Sequence, residues 1–141
     1  MDNHNLKFLV AEDEFIIALE IKQLIEDMGF EVTSLVSTGL EAITKSEIDK
    51  PNIILMDIQL SGSLNGIEAA EIIKYKHNIP VIFLTDRTNE HFLPQSKYSA
   101  NHLAIKKPVD ILQLSELIKQ IQNEIIVPAN SSTSRQSPYT L

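Results

Sequence analysis

The sequence predicts one α/β domain built on a doubly wound, five-stranded parallel sheet with helices on both faces. Three observations predict it. Five short apolar runs rich in β-branched residues recur along the chain, helical periodicities lie between them, and the third and fourth runs are apolar at nearly every position. Strands alternating with helices call for right-handed crossovers, which make neighbouring strands parallel and place the helices on the sheet faces. A strand apolar throughout is one covered on both sides.

Each element has its own local signature. "LKFLVA" (6–11) is the first strand, and Ile17, Ile21, Leu24, Ile25 and Met28 then mark one helix face that stops at Gly29. "EVTSLV" (31–36) is the second strand, followed by "GLEAITKSE" as a helix running to the turn at Pro51 and Asn52. "NIILM" (52–56) is the third strand, and Gly66 opens the helix "IEAAEIIKY". "PVIFL" (80–84) is the fourth. The fourth helix is expected within "RTNEHFLPQSKYSA" (87–100), where the periodicity is weak and Pro94 distorts a helix unless it lies in the first turn. "HLAI" (102–105) is the fifth strand, and Ile111, Leu114, Leu117, Ile118, Ile121 and Ile125 form the stripe of a fifth helix. The pattern ends near Val127. The expected domain is therefore 1–127, with the Ser- and Pro-rich "PANSSTSRQSPYTL" (128–141) as a flexible tail or linker.

Composition narrows the function classes. A chain of 141 residues that is 43% hydrophobic can bury one real core. The opening "MDNHNLKFLVAEDE" lacks a basic region followed by an apolar segment, and no run approaches the roughly 20 apolar residues of a membrane span. A cytoplasmic location is expected. With no cysteine, disulfides, thiolate metal sites and cysteine nucleophiles are excluded. A net charge of −7 disfavours direct binding to nucleic acid or an anionic membrane. The four histidines, His4, His77, His91 and His102, show no ligand spacing and read as surface or packing residues.

The polar residues at the carboxyl ends of the apolar runs carry the chemistry. Glu12 and Asp13 follow the first run, Asp57 the third, Thr85 the fourth, and Lys106 and Lys107 the fifth. In an open parallel sheet this rim is where ligands bind, because the loops diverge there and leave a crevice. Taken singly, each residue has a plainer reading. An acidic pair suits a helix N-terminus, an aspartate can cap a turn, and a lysine is usually solvated. Together they put three carboxylates, a hydroxyl and an ammonium at one place. Close carboxylates repel, and either their pKa values rise or a cation relieves them. Hard oxygen ligands select magnesium or calcium, with magnesium the better match because it is held by one or two carboxylates, waters and phosphate oxygens. A lysine and a hydroxyl beside it suit phosphoryl transfer, and an aspartate can itself accept the group as an acyl phosphate.

On these residues the sequence resembles the receiver domain of bacterial two-component response regulators, over roughly 6–126. The motifs are "VAEDE", "ILMDIQL", "NGIEAAEII", "VIFLT" and "KKPVD", in order and at strand ends. The resemblance implies a flavodoxin-like fold with strand order 2-1-3-4-5. It implies a phosphorylation-dependent switch that is not an enzyme in its own right but assists its own phosphorylation and dephosphorylation. Asp57 would accept the phosphoryl group from a histidine kinase or histidine phosphotransfer protein. Mg2+ would be arranged by Glu12, Asp13, Asp57 and the backbone carbonyl of Gln59. Thr85 and Lys107 would contact the phosphoryl oxygens. Lys107 is preferred to Lys106 because it directly precedes Pro108, often through a cis bond, and Lys106 should point the other way. Further implied partners are a fused or separate output domain and a second copy of the chain, through the fourth helix, fifth strand and fifth helix.

Three positions depart from the family pattern. Asp86 follows Thr85 where a small residue is usual, and Ala104 stands where many members carry an aromatic side chain that swings on phosphorylation. The loop "SGSLNG" (61–66) is longer than the shortest family version. The expectations are an acyl phosphate lifetime altered by Asp86, and signalling through Thr85 and the fourth-helix region without an aromatic switch. Two rival functions fare worse. A magnesium phosphohydrolase would place a second aspartate two residues after the nucleophile, where this chain has Gln59, and a flavodoxin-type cofactor carrier would not place "EDEF" after its first strand.

Overall fold

The structure, a computed structural model, describes residues 5–86 and 103–126. The expected fourth helix (87–100) and the tail (128–141) lie outside the described residues. In chain order the elements are β1 (Lys7–Ala11), α1 (Phe15–Asp27), β2 (Glu31–Val36), α2 (Gly39–Asp49), β3 (Ile53–Asp57), α3 (Gly66–His77), β4 (Val81–Thr85), β5 (Leu103–Lys106) and α4 (Ile111–Ile126). The α4 segment is the fifth helix of the sequence reading.

The five strands form one sheet in the order β2-β1-β3-β4-β5, and every pairing is parallel. Successive side chains of a strand point to opposite faces, and the core divides accordingly. Phe8, Val10, Ile53, Leu55, Ile82 and Leu84 pack with Ile21 and Ile25 of α1 and Leu114 and Ile118 of α4. Leu9, Ala11, Ile54, Met56 and Phe83 pack on the other side with Ala42 of α2 and Ala69 and Ile73 of α3. Strand β3 is buried at all five positions, as its uninterrupted apolar run predicts. Between Phe8 and Leu9 the β1–β2 register slips by one β2 residue, and the hydroxyl of that residue, Thr33, donates to the Phe8 carbonyl at 3.3 Å.

Local signals set the helix ends. Asn65 starts α3 with a reciprocal capping box: its side chain accepts from the Glu68 N–H at 2.9 Å, and the Glu68 carboxylate accepts from the Asn65 N–H at 2.9 Å. Thr38 caps α2 by accepting from the Glu41 N–H at 3.1 Å. Gly29, at φ +93°, turns the chain out of α1 and into β2. Compared with the sequence reading, the strands β3, β4 and β5 each reach one residue further, so that Asp57, Thr85 and Lys106 are the last strand residues.

Candidate functional site

At the carboxyl rim the ladder delivers the polar residues in register. Leu84 of β4 stands beside Asp57 of β3, and Lys106 of β5 stands beside Thr85. Hydrogen bonds extend the ladder one step past the strands: Ile58 N–H donates to the Leu84 carbonyl at 3.1 Å, Lys107 N–H to the Thr85 carbonyl at 2.7 Å, and Glu12 N–H to the Val36 carbonyl at 2.9 Å. The rim is therefore held by the same backbone network as the sheet.

Glu12 and Asp57 are buried, at 2% and 5% exposure. Burying charge without a partner is costly, and Lys107 supplies the partner. Its Nζ lies 3.0 Å from Glu12 Oε1 and 3.2 Å from Asp57 Oδ2, bridging two strands 95 and 50 residues away in sequence. The remaining oxygens are held by backbone: Glu12 Oε2 accepts from the Glu14 N–H at 3.1 Å, and Asp57 Oδ1 from the Gln59 N–H at 3.0 Å. The Lys107–Pro108 peptide is cis. Lys106, by contrast, is exposed, as expected for the lysine on the other face.

The electrostatics follow from this geometry. Burial pushes the Glu12 carboxyl above its usual value, and the Asp57 charge adds to the rise, while the Glu14 N–H and Lys107 pull against it. Burial acts to lower Lys107, but hydrogen bonds and charge from Glu12 and Asp57 outweigh it and hold the ammonium above its usual value. Asp13 is exposed beside this pair, and its Oδ2 accepts from the Ser61 hydroxyl at 2.9 Å. Glu12, Asp13 and Asp57 each bring one oxygen within 4.8 Å of the others. Three carboxylates face one ammonium. The excess negative charge and hard oxygen donors fit a divalent cation such as Mg2+.

Of the residues singled out in the sequence, Glu12, Asp13, Asp57 and Lys107 come together directly. Thr85 closes β4 half-buried, one residue past the one beside Asp57, and Gln59 contributes its N–H to Asp57. Asp86 is exposed at the same rim, and Ala104 is half-buried against the core that holds Phe83.

Sequence reasoning did not find two neighbours. Gly66 lies so close to β3 that an added Cβ would overlap the Asp57 carbonyl oxygen, and its N–H donates to the Ile58 carbonyl at 2.8 Å. The sequence signalled a helix start there, not a close approach. Ser61 sits in a loop whose composition signals only a turn.

A parallel 2-1-3-4-5 sheet with an acid–lysine cluster at its carboxyl rim is the arrangement of the receiver class. The family profile described as response regulator receiver domain matches residues 8–119, and the chain belongs to that family. It is 34% identical over 115 residues to the phyllosphere-induced regulator PhyR of Methylorubrum extorquens, covering 81% of this chain and 42% of that protein. It is 28% identical over 116 residues to the transcriptional regulatory protein PdtaR of Mycobacterium tuberculosis, covering 82% and 55%. The chain thus spans about half the length of the curated relatives it matches. Among solved structures, the signal receiver domain of a modulated diguanylate cyclase from Desulfovibrio desulfuricans superposes with a TM-score of 0.76 at 28% identity, over 85% of this chain and 96% of that one. A LuxR-family DNA-binding response regulator from Staphylococcus aureus gives 0.72 at 30% identity, over 84% and 99%. No helix among the described residues is long and apolar enough to cross a membrane.

Proposed function

We propose that residues 1–127 form a cytoplasmic receiver whose Asp57 takes a phosphoryl group from phosphohistidine on a kinase or phosphotransfer protein. The observation that carries this reading is the Lys107 ammonium bridging Glu12 and Asp57 at 3.0 and 3.2 Å inside a group of three clustered carboxylates.

In the transfer, an Asp57 carboxylate oxygen attacks phosphorus, the O–P bond forms as the P–N bond to histidine breaks, and the imidazole leaves with the electron pair and takes up a proton. Gln59 N–H and Lys107 fix the Asp57 carboxylate before the reaction, so little orientation remains to be achieved. Lys107 then pairs with a phosphoryl oxygen without leaving the cluster, and the Thr85 hydroxyl, next along the rim, donates to another. Mg2+ held by Glu12, Asp13, Asp57 and the Gln59 carbonyl would neutralise charge on the transferring group. The assistance is to the domain's own modification, so the module signals and does not turn over a substrate.

The new charge at the rim would favour one of two arrangements of the surrounding loops and so alter a surface read by a partner. The expected readout surface includes the fourth-helix segment 87–100, which lies outside the described residues. The regulators named above support control of a fused or separate output, with 128–141 as a linker and a second copy of the chain as a further partner. The net charge of −7 supports a readout that does not itself bind nucleic acid.

The test is incubation with acetyl phosphate, with and without Mg2+, followed by intact mass. A gain of one phosphoryl group that needs Mg2+ and is lost in Asp57→Ala supports the switch. An unmodified wild type points instead to a docking module that works without phosphate.

A further inference from the structure

The loop between β3 and α3 does more than connect them. Ser61 is paired with Thr38 through a parallel β-bridge, and Gly62, at φ +98°, turns the chain immediately afterwards. Thr38 is itself fixed as the N-cap of α2, accepting from the Glu41 N–H. The Glu41 carboxylate in turn accepts from the Ser37 N–H at 3.0 Å and the Ser37 hydroxyl at 3.2 Å. A donor on so firmly anchored a backbone has a defined position. Its hydroxyl reaches across to Asp13 Oδ2 at 2.9 Å, 48 residues away in sequence.

We infer that Ser61 is a positioning residue for the cation site, holding the Asp13 carboxylate in the orientation a divalent ion takes. The inference rests on the proposed role of Asp13 as a cation ligand. Glu12 and Asp57 are buried and held by Lys107 and backbone N–H groups, whereas Asp13 is exposed and would otherwise sample several rotamers in water. The Ser61 hydroxyl occupies one Asp13 oxygen and leaves the other to the ion, and outer hydrogen bonds of this kind strengthen metal binding by fixing the ligand.

Calorimetric titration of the metal-stripped chain with MgCl2 tests this on wild type, Ser61→Ala, Ser61→Thr and Asp13→Asn. We expect Ser61→Ala to weaken Mg2+ binding about tenfold, at the low end for outer hydrogen bonds because this one is exposed. Its metal-free melting temperature should stay unchanged, and Ser61→Thr should restore affinity to within about twofold. Mg2+ binding by Ser61→Ala as tight as wild type, or tighter, overturns the inference. So does a loss of affinity that comes with lost metal-free stability and is not rescued by threonine. A wild type that takes up no Mg2+, or an Asp13→Asn variant that binds like wild type, instead overturns the ligand role of Asp13.

Discussion

Replacing Lys107 with methionine removes the charge from the centre of the site and keeps much of the side-chain volume. Two buried carboxylates then lose their shared partner. Removing one member of a buried ion pair costs about 3–5 kcal/mol, and the backbone N–H donors left on Glu12 and Asp57 place this case at the lower end, about 3 kcal/mol at pH 7 without metal. For a domain of this size that is a fall in melting temperature of roughly 10 °C. The pH dependence is more diagnostic. Glu12 is raised above its usual 4.5, so the stability linked to its proton is fully present below 4.5 and is lost as pH rises through the folded value. In the variant the lowering influence of Lys107 is gone, the folded value climbs further, and more stability is lost on the way to neutrality. Lys107, raised above 10.5, contributes stability that is present below 10.5 and lost as pH rises through its folded value. The gap between wild type and Lys107→Met should therefore be widest near neutrality, narrow toward pH 4.5, and narrow again above 10.5. Saturating Mg2+ should shrink it by neutralising the same carboxylates. Thermal melts from pH 4 to 11, with EDTA and with Mg2+, read this out. Equal melting temperatures at pH 7, or a gap that widens toward pH 4.5, would refute the reasoning.

Gly66→Ala should cost about 3 kcal/mol in urea unfolding and slow modification by acetyl phosphate, because the new Cβ has to displace the Asp57 carbonyl or shift α3. An unchanged unfolding midpoint would contradict it. Asn65→Ala removes half of the α3 capping box and should lower stability by about 1 kcal/mol while leaving Mg2+ affinity unaltered. Asp86→Ala takes an exposed acid from beside Thr85 and should change the decay rate of the acyl phosphate by roughly two- to tenfold, the scale of a screened interaction of about 1 kcal/mol. Decay at the wild-type rate dismisses a role for Asp86.

The sheet was legible because its signals are local and repeated. The apolar run from Ile53 to Met56 has one physical reading when turn residues and helical stripes flank it, and β3 is buried throughout. Glu12 and Asp57 were legible because each stands where an apolar run ends, and a parallel sheet gathers such ends on one rim. The end of the fifth run offered both Lys106 and Lys107, and only the Pro108 that follows singled out Lys107. Ser61 and Gly66 were not. Their roles depend on separations across space, Ser61 to Asp13 and Gly66 to the Asp57 carbonyl, that no periodicity encodes. The apolar pattern stops one residue short of the ends of β3, β4 and β5 because a carboxylate, a threonine or a lysine breaks it while its backbone still pairs.

The most direct measurement locates the phosphoryl group. The chain is treated with acetyl phosphate and Mg2+, the acyl phosphate is trapped by borohydride reduction, and the peptides are mapped by mass spectrometry. The account predicts one reduced residue at Asp57, missing when Mg2+ is withheld. A label on Asp13, on Glu12 or on a hydroxyl or imidazole side chain would contradict it.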